Sequence, residues 1–384
     1  MTRTTSSPES PRHARADDAL ARVDLYEPGR VIPPSPRLAA VSPRALAYLR
    51  PLVERSPSCF LPNVGSRMGL LVVGNRPVPY VVNDRPQSCY LVSVSSKVDA
   101  HVARSLGLAG GGRWRAVLAR GIAPALRWSG LDRVVFLNDW LLSTNPTLRL
   151  TPAELRAAVA ALVERHPSCS IIVKSLDSAA IEPGGGDSLS AFVYKHNYCV
   201  PARARKTRSN VSDLALLRRT PLRVEELGPT VDEGELDRFV ELYEALYLGK
   251  YCATSPRLGR RWFRLAITSG SFRCVVVRDG SRLLGFSLQS IDEHQLISSY
   301  IGYDPSLPRE AGVYRLLMLS GWLEARRRGL VYNMSGGGGA EGVSTFKRQR
   351  GAVLVPQLGA CACAHLPWPR RRLHERILRD FYFT

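Results

Sequence analysis

Alternating apolar and polar positions predict an antiparallel meander in the second half of the chain. Residues 272–278, 283–289 and 294–303 alternate, and Asp279-Gly280 between the first two segments is a hairpin turn signal. A similar pattern spans residues 67–83, where two apolar runs flank Gly74-Asn75. We therefore predict one hairpin early in the chain and a three-stranded sheet late in it.

Apolar residues at helical spacing, together with capping signals, predict the helices. Ser42 is placed to cap a helix over 43–54, and Thr151 with Glu154 forms a capping box at the start of a helix over 152–165. Further helices are predicted at 113–128, 232–248, 256–268, 310–328, a short stretch through Phe346, and the C-terminus. Further strands are predicted at 88–94, 133–137, 170–174, 189–198, 329–332, 352–356 and 358–364.

This order of elements predicts an α/β fold with a mixed sheet. A chain of 384 residues has room for two domains of ordinary size. We predict a disordered tail over 1–35, which is rich in Ser, Pro, Thr and Arg, and an N-terminal α/β domain over 36–200. A basic linker over 201–214 and a C-terminal domain over 215–384 complete the predicted organisation.

The net charge of +20 and a pI near 10.1 favour binding of a polyanion, chiefly nucleic acid. A G+C-rich genome would also raise arginine, and only six lysines occur. The basic charge is densest in a short segment containing Arg203, Arg205, Lys206 and Arg208. This segment is either an exposed interdomain linker or a phosphate-contacting element, and the sequence leaves both open.

Several classes of site and location are disfavoured by composition. No apolar run reaches the roughly 18 residues that a membrane-spanning helix needs, and the polar N-terminus is no secretory signal. We therefore predict a cytoplasmic protein without a membrane span. Cys361-Ala-Cys363 lacks a second ligand pair, so no metal site is predicted. The oligomeric state is left open.

The strongest candidate for chemistry is the segment 332–351, which holds four consecutive glycines followed by Phe346-Lys347. Glycine runs are flexible and costly to order, so this one is either a surface loop or a place where a ligand lies against the backbone. An amine that attacks an acyl ester generates negative charge on the carbonyl oxygen, and a fixed cation stabilises that charge. Lys347 suits that role; otherwise it is a solvated charge in a basic run.

The order helix, helix, meander, helix, strand, helix, strand over residues 215–368 resembles the GNAT acyltransferase fold. Asn333-Met-Ser-Gly, Phe346-Lys347 and Arg350-Gly351 are similar to motifs of the Fem-type aminoacyl-tRNA-dependent ligases. Those proteins duplicate the fold, and residues 60–200 resemble a degenerate first copy. The resemblance implies tandem GNAT-like domains and donor binding by Asn333, Ser335, Gly336, Phe346 and Arg350. It also implies that Lys347 stabilises the oxyanion or the terminal ribose-phosphate.

One departure concerns the donor. CoA-binding members of the fold hold the pyrophosphate on a glycine-rich loop and helix N-terminus after the fourth strand. The matching stretch here, 304–314, has one glycine, two prolines without an N–H group, and Glu310 in the first turn. This argues against ordinary CoA binding, although Arg309 and Tyr314 could still contact a phosphate.

Two further residues are catalytic candidates at the end of the meander. Tyr303 lies where acceptors enter this fold, and Asp304 could act as the general base for the attacking amine. Alternatively, Tyr303 belongs to the core and Asp304 forms a turn before proline.

We therefore predict an amide-forming acyltransferase whose donor is aminoacyl-tRNA and whose acceptor is a small-molecule or peptide amine. No cofactor is expected beyond the co-substrate. An acyl-CoA-dependent N-acyltransferase and a non-catalytic nucleic-acid-binding protein are the alternatives.

Overall fold

A computed structural model describes residues 22–98, 129–181, 189–251, 253–336 and 341–381. The strands are β1 Val23–Tyr26, β2 Arg67–Val73, β3 Arg76–Asn83, β4 Val134–Leu137, β5 Ser170–Leu176, β6 Ser190–Val200, β7 Arg223–Leu227, β8 Phe272–Asp279, β9 Arg282–Ile291, β10 Gln295–Tyr303, β11 Val331–Asn333 and β12 Val353–Ala362. The helices are α1 Pro36–Ala39, α2 Pro43–Arg55, α3 Pro152–Arg165, α4 Arg208–Arg219, α5 Glu233–Leu246, α6 Arg260–Thr268, α7 Val313–Arg328, α8 Glu341–Gln349 and α9 Trp368–Phe381.

All of these strands belong to one twelve-stranded sheet. Their order is β1-β2-β3-β4-β5-β12-β6-β11-β10-β9-β8-β7. The pairs β4–β5 and β10–β11 are parallel, and every other pair of neighbours is antiparallel. The sheet is therefore mixed, as the sequence predicts, and it runs through both halves of the chain.

The two halves exchange their last strands. β6 follows β5 along the chain but pairs with β11, whereas β12 follows β11 but pairs with β5. β6 and β12 also pair with each other along most of their length. Because each half is completed by a strand of the other, the halves are joined by main-chain hydrogen bonds at the centre of the sheet.

The parallel strand pairs reveal a repeated geometry. In the N-terminal half the last paired residues are Leu137 and Val173, and in the C-terminal half they are Ile297 and Asn333. Two residues after the last paired residue of each second strand lies a serine with positive φ, Ser175 at 55° and Ser335 at 60°. A helix, α3 or α7, connects the strands of each pair. The tandem arrangement predicted from the sequence is thus present.

The N-terminal copy differs from the C-terminal copy where its parallel strands diverge. Leu148 forms a parallel bridge to Leu176, and its N–H donates to the Ser175 carbonyl at 2.7 Å. Asn138 Nδ2 donates to the Lys174 carbonyl at 3.0 Å. The chain that leaves β4 therefore fills the space between β4 and β5, in keeping with a degenerate first copy.

The largest apolar core lies between the halves. Trp262 of α6 and Tyr300 of β10 pack edge to face at 5.4 Å, and Trp262 Nε1 donates to the hydroxyl of Tyr48 on α2. Tyr48 in turn donates to the Trp140 carbonyl at 3.1 Å. These side chains bury one face of the meander under the N-terminal half, so that residues 138–147 lie against β10.

The local predictions are largely confirmed. The hairpin at Gly74, the meander and the capping box at Thr151 are all present. The strand predicted at 88–94 is wrong: Ser93 and Ser95 turn toward the buried carboxylate of Asp132, and polar anchoring replaces strand pairing. The two strands predicted within 352–364 form a single strand with an irregular register, β12.

The predicted disordered tail is wrong for its second part, because β1 pairs with β2 over Val23–Tyr26. The predictions for residues 1–21, for the helix at 113–128 and for Gly337–Gly339 fall outside the described residues. Within the described ranges, no helix is long and apolar enough to cross a bilayer. The same ranges contain no group of three or more His, Cys, Asp or Glu side chains arranged to hold a metal ion.

Candidate active site

The site is built where β10 and β11 part. These strands pair only over 295–297 and 331–333, and a bulge between Ser298 and Tyr300 then turns β10 away. On the other side, the chain leaves β11 and turns at Ser335. We call the resulting gap the split. Ser335 Oγ spans it at its base, donating to the Ser298 carbonyl at 2.6 Å.

Lys347 holds the chain that leaves β11. Its side chain comes from α8, is only 3% exposed, and donates to the carbonyls of Met334, Ser335 and Gly336, the last at 2.6 Å. Burial lowers the pKa of Lys347 to about 7. The three carbonyl acceptors match the three N–H groups of an ammonium ion, so they favour the protonated form. In this conformation Lys347 orders the segment that faces the split.

Four of the predicted residues form a row of side chains beside Lys347, and the aromatic rings of this row are tilted against one another. The ring of Tyr303 lies 5.7 Å from that of Tyr314, and Tyr314 lies 4.9 Å from Phe346. The guanidinium carbon of Arg350 sits 3.4 Å from the centre of the Phe346 ring. Burial raises the pKa of the Tyr303 hydroxyl. The row joins the end of β10 to α7 and α8.

Arg350 is fixed by a partner that the sequence analysis did not identify. Asp213 on α4, 1% exposed, receives Arg350 Nε at 2.6 Å and Nη2 at 3.0 Å. Arg315 of α7 also donates to the same carboxylate at 2.6 Å. The guanidinium of Arg350 is therefore committed to Asp213 and to the Phe346 ring. Arg350 acts on the split through these contacts.

Asn333 and Gln295 link the base of the split to the N-terminal half. Asn333 Nδ2 donates to Gln295 Oε1 at 3.0 Å, and Asn333 Oδ1 accepts from the N–H of Ser335. Gln295 Nε2 donates to Thr147 Oγ1 at 2.9 Å. Asn333 is buried, so its role in this conformation is to hold the turn at Ser335.

Asp304 and Arg309 lie at the rim of the site. Hydrogen bonds from Ser306 and the ion pair with Arg238 hold the pKa of the Asp304 carboxyl below its ordinary value. Arg282 also contacts this carboxylate at 3.0 Å. A carboxylate with two guanidinium partners is a weak proton acceptor at neutral pH. The general-base role of Asp304 stays a prediction. The side chain of Arg309 is exposed to solvent.

The predicted polyanion-binding side chains of Arg203, Arg205, Lys206 and Arg208 are all exposed. Their segment is anchored next to the site: Arg326 of α7 donates to the Ala204 carbonyl at 2.9 Å. Thr207 lies against Gly351, just beyond α8. The exposed charges therefore lie on a segment held against the end of α8.

The boundary predicted between the linker and the C-terminal domain, at residues 214 and 215, falls inside helix α4.

A second lysine lies near the split, on the strand that pairs with β11. Lys195 of β6 donates to the Ser143 carbonyl at 2.6 Å and to Thr144 Oγ1 at 2.7 Å. Ser143 Oγ in turn donates to the carbonyl of Ser299, in the bulge of β10, at 3.2 Å. Burial and the nearby cations Lys174 and Lys347 lower the pKa of Lys195 to about 7.

In a comparison with known protein families, residues 205–348 match the family described as Acetyltransferase (GNAT) domain. No curated protein matches the sequence. Among solved structures, L-PGS from Bacillus licheniformis superposes with a TM-score of 0.43 at 12% identity, over 59% of this chain and 78% of that one.

FemX gives a TM-score of 0.42 at 12% identity, over 59% of this chain and 79% of that one. A conserved protein of unknown function from Bacteroides thetaiotaomicron gives 0.44 at 12% identity, over 73% and 92%. Likenesses of this size carry no argument about activity. The sequence match to the GNAT domain covers the split, Lys347 and the rings of Tyr303, Tyr314 and Phe346, and it ends before Arg350.

Proposed function

We propose that this chain, whose residues 205–348 form a GNAT acyltransferase domain, transfers an acyl group from aminoacyl-tRNA to an amine and forms an amide. The acyl ester would lie in the split, with Lys347 and the segment Met334–Gly336 on one side. The row of Tyr303, Tyr314 and Phe346 would flank the terminal ribose. The residues of the basic segment would contact phosphates of the tRNA.

The observation that carries the choice of donor is the packing of α4 on the start of α7. The side chain of Leu216 fills the space in front of Gly312, so closely that a Cβ there would lie 2.4 Å from it. Asp213 and Ser212 bind Arg315 in the first turn of α7. CoA-binding members of the fold hold a pyrophosphate at this helix N-terminus. Here Leu216 covers it and the carboxylate of Asp213 lies beside it, so a pyrophosphate is disfavoured.

Positive charge supports the same choice. The exposed cations of the basic segment lie beside Gly351, at the end of the helix that supplies Phe346 and Lys347. If a polyanion binds to that segment, the parts of the polyanion next to the bound phosphates come within reach of the split. Acyl-CoA presents only a few phosphates, whereas tRNA presents a continuous phosphate backbone.

The test supplies a charged tRNA pool and, separately, a set of acyl-CoAs, with a mixture of amines as acceptors, and follows loss of the acyl group. We expect deacylation that depends on acceptor with tRNA and none with acyl-CoA. A variant with Arg203, Arg205, Lys206 and Arg208 all changed to Gln should bind tRNA more weakly. Its salt dependence should fall by roughly one unit of slope per lost phosphate contact.

The matched control changes Arg218 and Arg219, exposed at the other end of α4, to Gln. The salt dependence of tRNA binding by that variant should have the same slope as that of the unmodified protein. Tight binding of CoA together with no binding of tRNA would overturn the choice of donor. Turnover with acyl-CoA would then identify the acyl-CoA-dependent alternative.

A further inference from the structure

We propose that Lys195, on the strand that the N-terminal half contributes to the C-terminal half, is the base that accepts the proton of the acceptor amine. This inference rests on the proposed function and adds a catalytic residue to it. The sequence pattern did not single out Lys195, and the family match, which begins at residue 205, does not include it.

The position of Lys195 follows from a chain of hydrogen bonds. Lys195 Nζ donates to the Ser143 carbonyl, and Ser143 Oγ donates to the carbonyl of Ser299 in the bulge. One residue earlier on β10, the Ser298 carbonyl accepts from Ser335, whose own carbonyl is held by Lys347. Each lysine is therefore linked to β10 through one hydrogen-bonded serine, Ser143 for Lys195 and Ser335 for Lys347, and the two lysines are close enough for their charges to interact.

The number of acceptors distinguishes the two lysines. An ammonium ion donates three hydrogen bonds, whereas a neutral amine donates two and keeps a lone pair. Within the described residues, Lys347 has three carbonyl acceptors, and Lys195 has two acceptors, Ser143 O and Thr144 Oγ1. This arrangement suits a cation at Lys347 and a neutral amine at Lys195. Two titratable groups with opposed environments are a common basis for dividing acid and base roles.

The surrounding charges act in the same direction. Lys174 of β5 and Lys347 of α8 face Lys195 from two elements, and Cys199 faces it from its own strand. Lys174 is paired with Asp139 at 2.6 Å, whereas Lys195 has neither an ion-pair partner nor a third hydrogen-bond acceptor within the described residues. Burying an uncompensated cation is costly, so the neutral amine is favoured. A base whose pKa is near the working pH is efficient.

The step balances with groups already named. The acceptor nitrogen attacks the acyl carbonyl carbon, a C–N bond forms, and the C–O bond of the ester breaks. The proton on the nitrogen moves to Lys195 Nζ, and the leaving ribose hydroxyl takes a proton back from the Lys195 ammonium. Lys347 carries its positive charge unchanged through the step and stabilises the oxyanion.

The same charges select the class of acceptor. A polyamine would bring further cations between Lys195 and Lys347, which Coulomb repulsion disfavours in a partly buried site. The lysine charges would attract an amine that carries a carboxylate or phosphate. Repulsion between these charges and a protonated amino group would favour the neutral form of that amino group. We therefore expect amino acids or aminoalkyl phosphates to be better acceptors than putrescine or spermidine.

The test measures kcat/KM for the acceptor against pH in the unmodified protein and in Lys195→Met, Lys195→Arg and Lys195→Ala. The unmodified profile should rise with an apparent pKa of about 7. The substitutions Lys195→Met and Lys195→Arg should each lower kcat/KM by about 10²–10⁴-fold and remove the rise with pH, because neither new side chain accepts a proton. Added methylamine should restore part of the activity of Lys195→Ala.

Lys195→Arg separates the base from a merely structural cation, since Arg keeps the charge. A Lys195→Arg variant with the rate and pH profile of the unmodified protein would overturn the proposal. Arg67→Met is the control: it removes an exposed cation from β2 and should change neither quantity.

A second measurement does not depend on turnover. Competitive acetylation across a pH series, followed by peptide mass spectrometry, gives the titration of each lysine. Lys195 should titrate near 7. Titration of Lys195 above 10 would overturn the assignment, whereas absence of turnover with every donor would instead reject the proposed function.

Discussion

Asp213 and Arg350 are 137 positions apart in the sequence and form a two-point ion pair, Nε to Oδ2 at 2.6 Å and Nη2 to Oδ1 at 3.0 Å. The pair joins α4 to the end of α8. It also holds the guanidinium against the ring of Phe346. α4, which covers the start of α7, is thereby tied to the residues that line the split.

Asp213→Asn should destabilise the protein strongly, because it leaves Arg350 buried without a counter-charge. Breaking a buried ion pair by removing one partner costs about 3–5 kcal/mol. Urea unfolding followed by tryptophan fluorescence measures this loss. Asp84→Asn is the control: Asp84 pairs with Arg67 at the surface, and its loss should cost about 1 kcal/mol or less. Equal effects of the two substitutions would contradict the importance of the Asp213 pair.

Lys347→Ala should lower single-turnover acyl transfer by about 10²–10³-fold, the range for removal of one oxyanion-stabilising group. It also leaves the carbonyls of Met334, Ser335 and Gly336 without their donor. Arg348→Ala, on the exposed side of α8, is the matched control and should transfer at the normal rate. Normal turnover of Lys347→Ala would exclude the catalytic role.

Glycine-to-alanine substitutions in two helices should have opposite signs. In α7, a Cβ on Gly321 would lie 2.6 Å from the hydroxyl of Tyr332, which is fully buried, so Gly321→Ala should cost about 1–3 kcal/mol through overpacking. In α8, no atom of the described residues lies within 4 Å of such a Cβ on Gly342. Gly342→Ala should therefore gain about 0.5–1 kcal/mol. Chemical denaturation midpoints of the two variants measure both effects.

The free energy of unfolding should rise with pH above neutrality. The pKa of Lys195 is lowered to about 7 in the folded protein by burial and by Lys174 and Lys347, against 10.5 for an ordinary lysine. Between these values the unfolded chain binds more protons than the folded one, so increasing pH favours folding. The pKa of Lys347 is also lowered to about 7, so Lys195→Met should remove the share of the rise that Lys195 contributes and leave the share of Lys347. An equally steep rise in that variant would show that another group is responsible.

The sequence by itself determined the local elements of this protein. The Gly74 hairpin, the meander and the Thr151 capping box depend on residues close together in the chain, whose turn and cap geometry is decided by neighbouring side chains. The element order and the residues of the Phe346-Lys347 segment also carried the resemblance to the GNAT fold. The match of residues 205–348 to the GNAT domain confirms this resemblance.

Only the tertiary structure decided what the elements pair with. The strand predicted at 88–94 is replaced by turns because Asp132, distant in sequence, binds Ser93 and Ser95. The exchange of β6 and β12 brings Lys195 to a site built by the other half of the chain. Asp213 likewise finds Arg350 across 137 positions. Periodicity reports the exposure of a residue along its own element, whereas these contacts depend on the free energy of packing distant elements together, for which a local pattern holds no information.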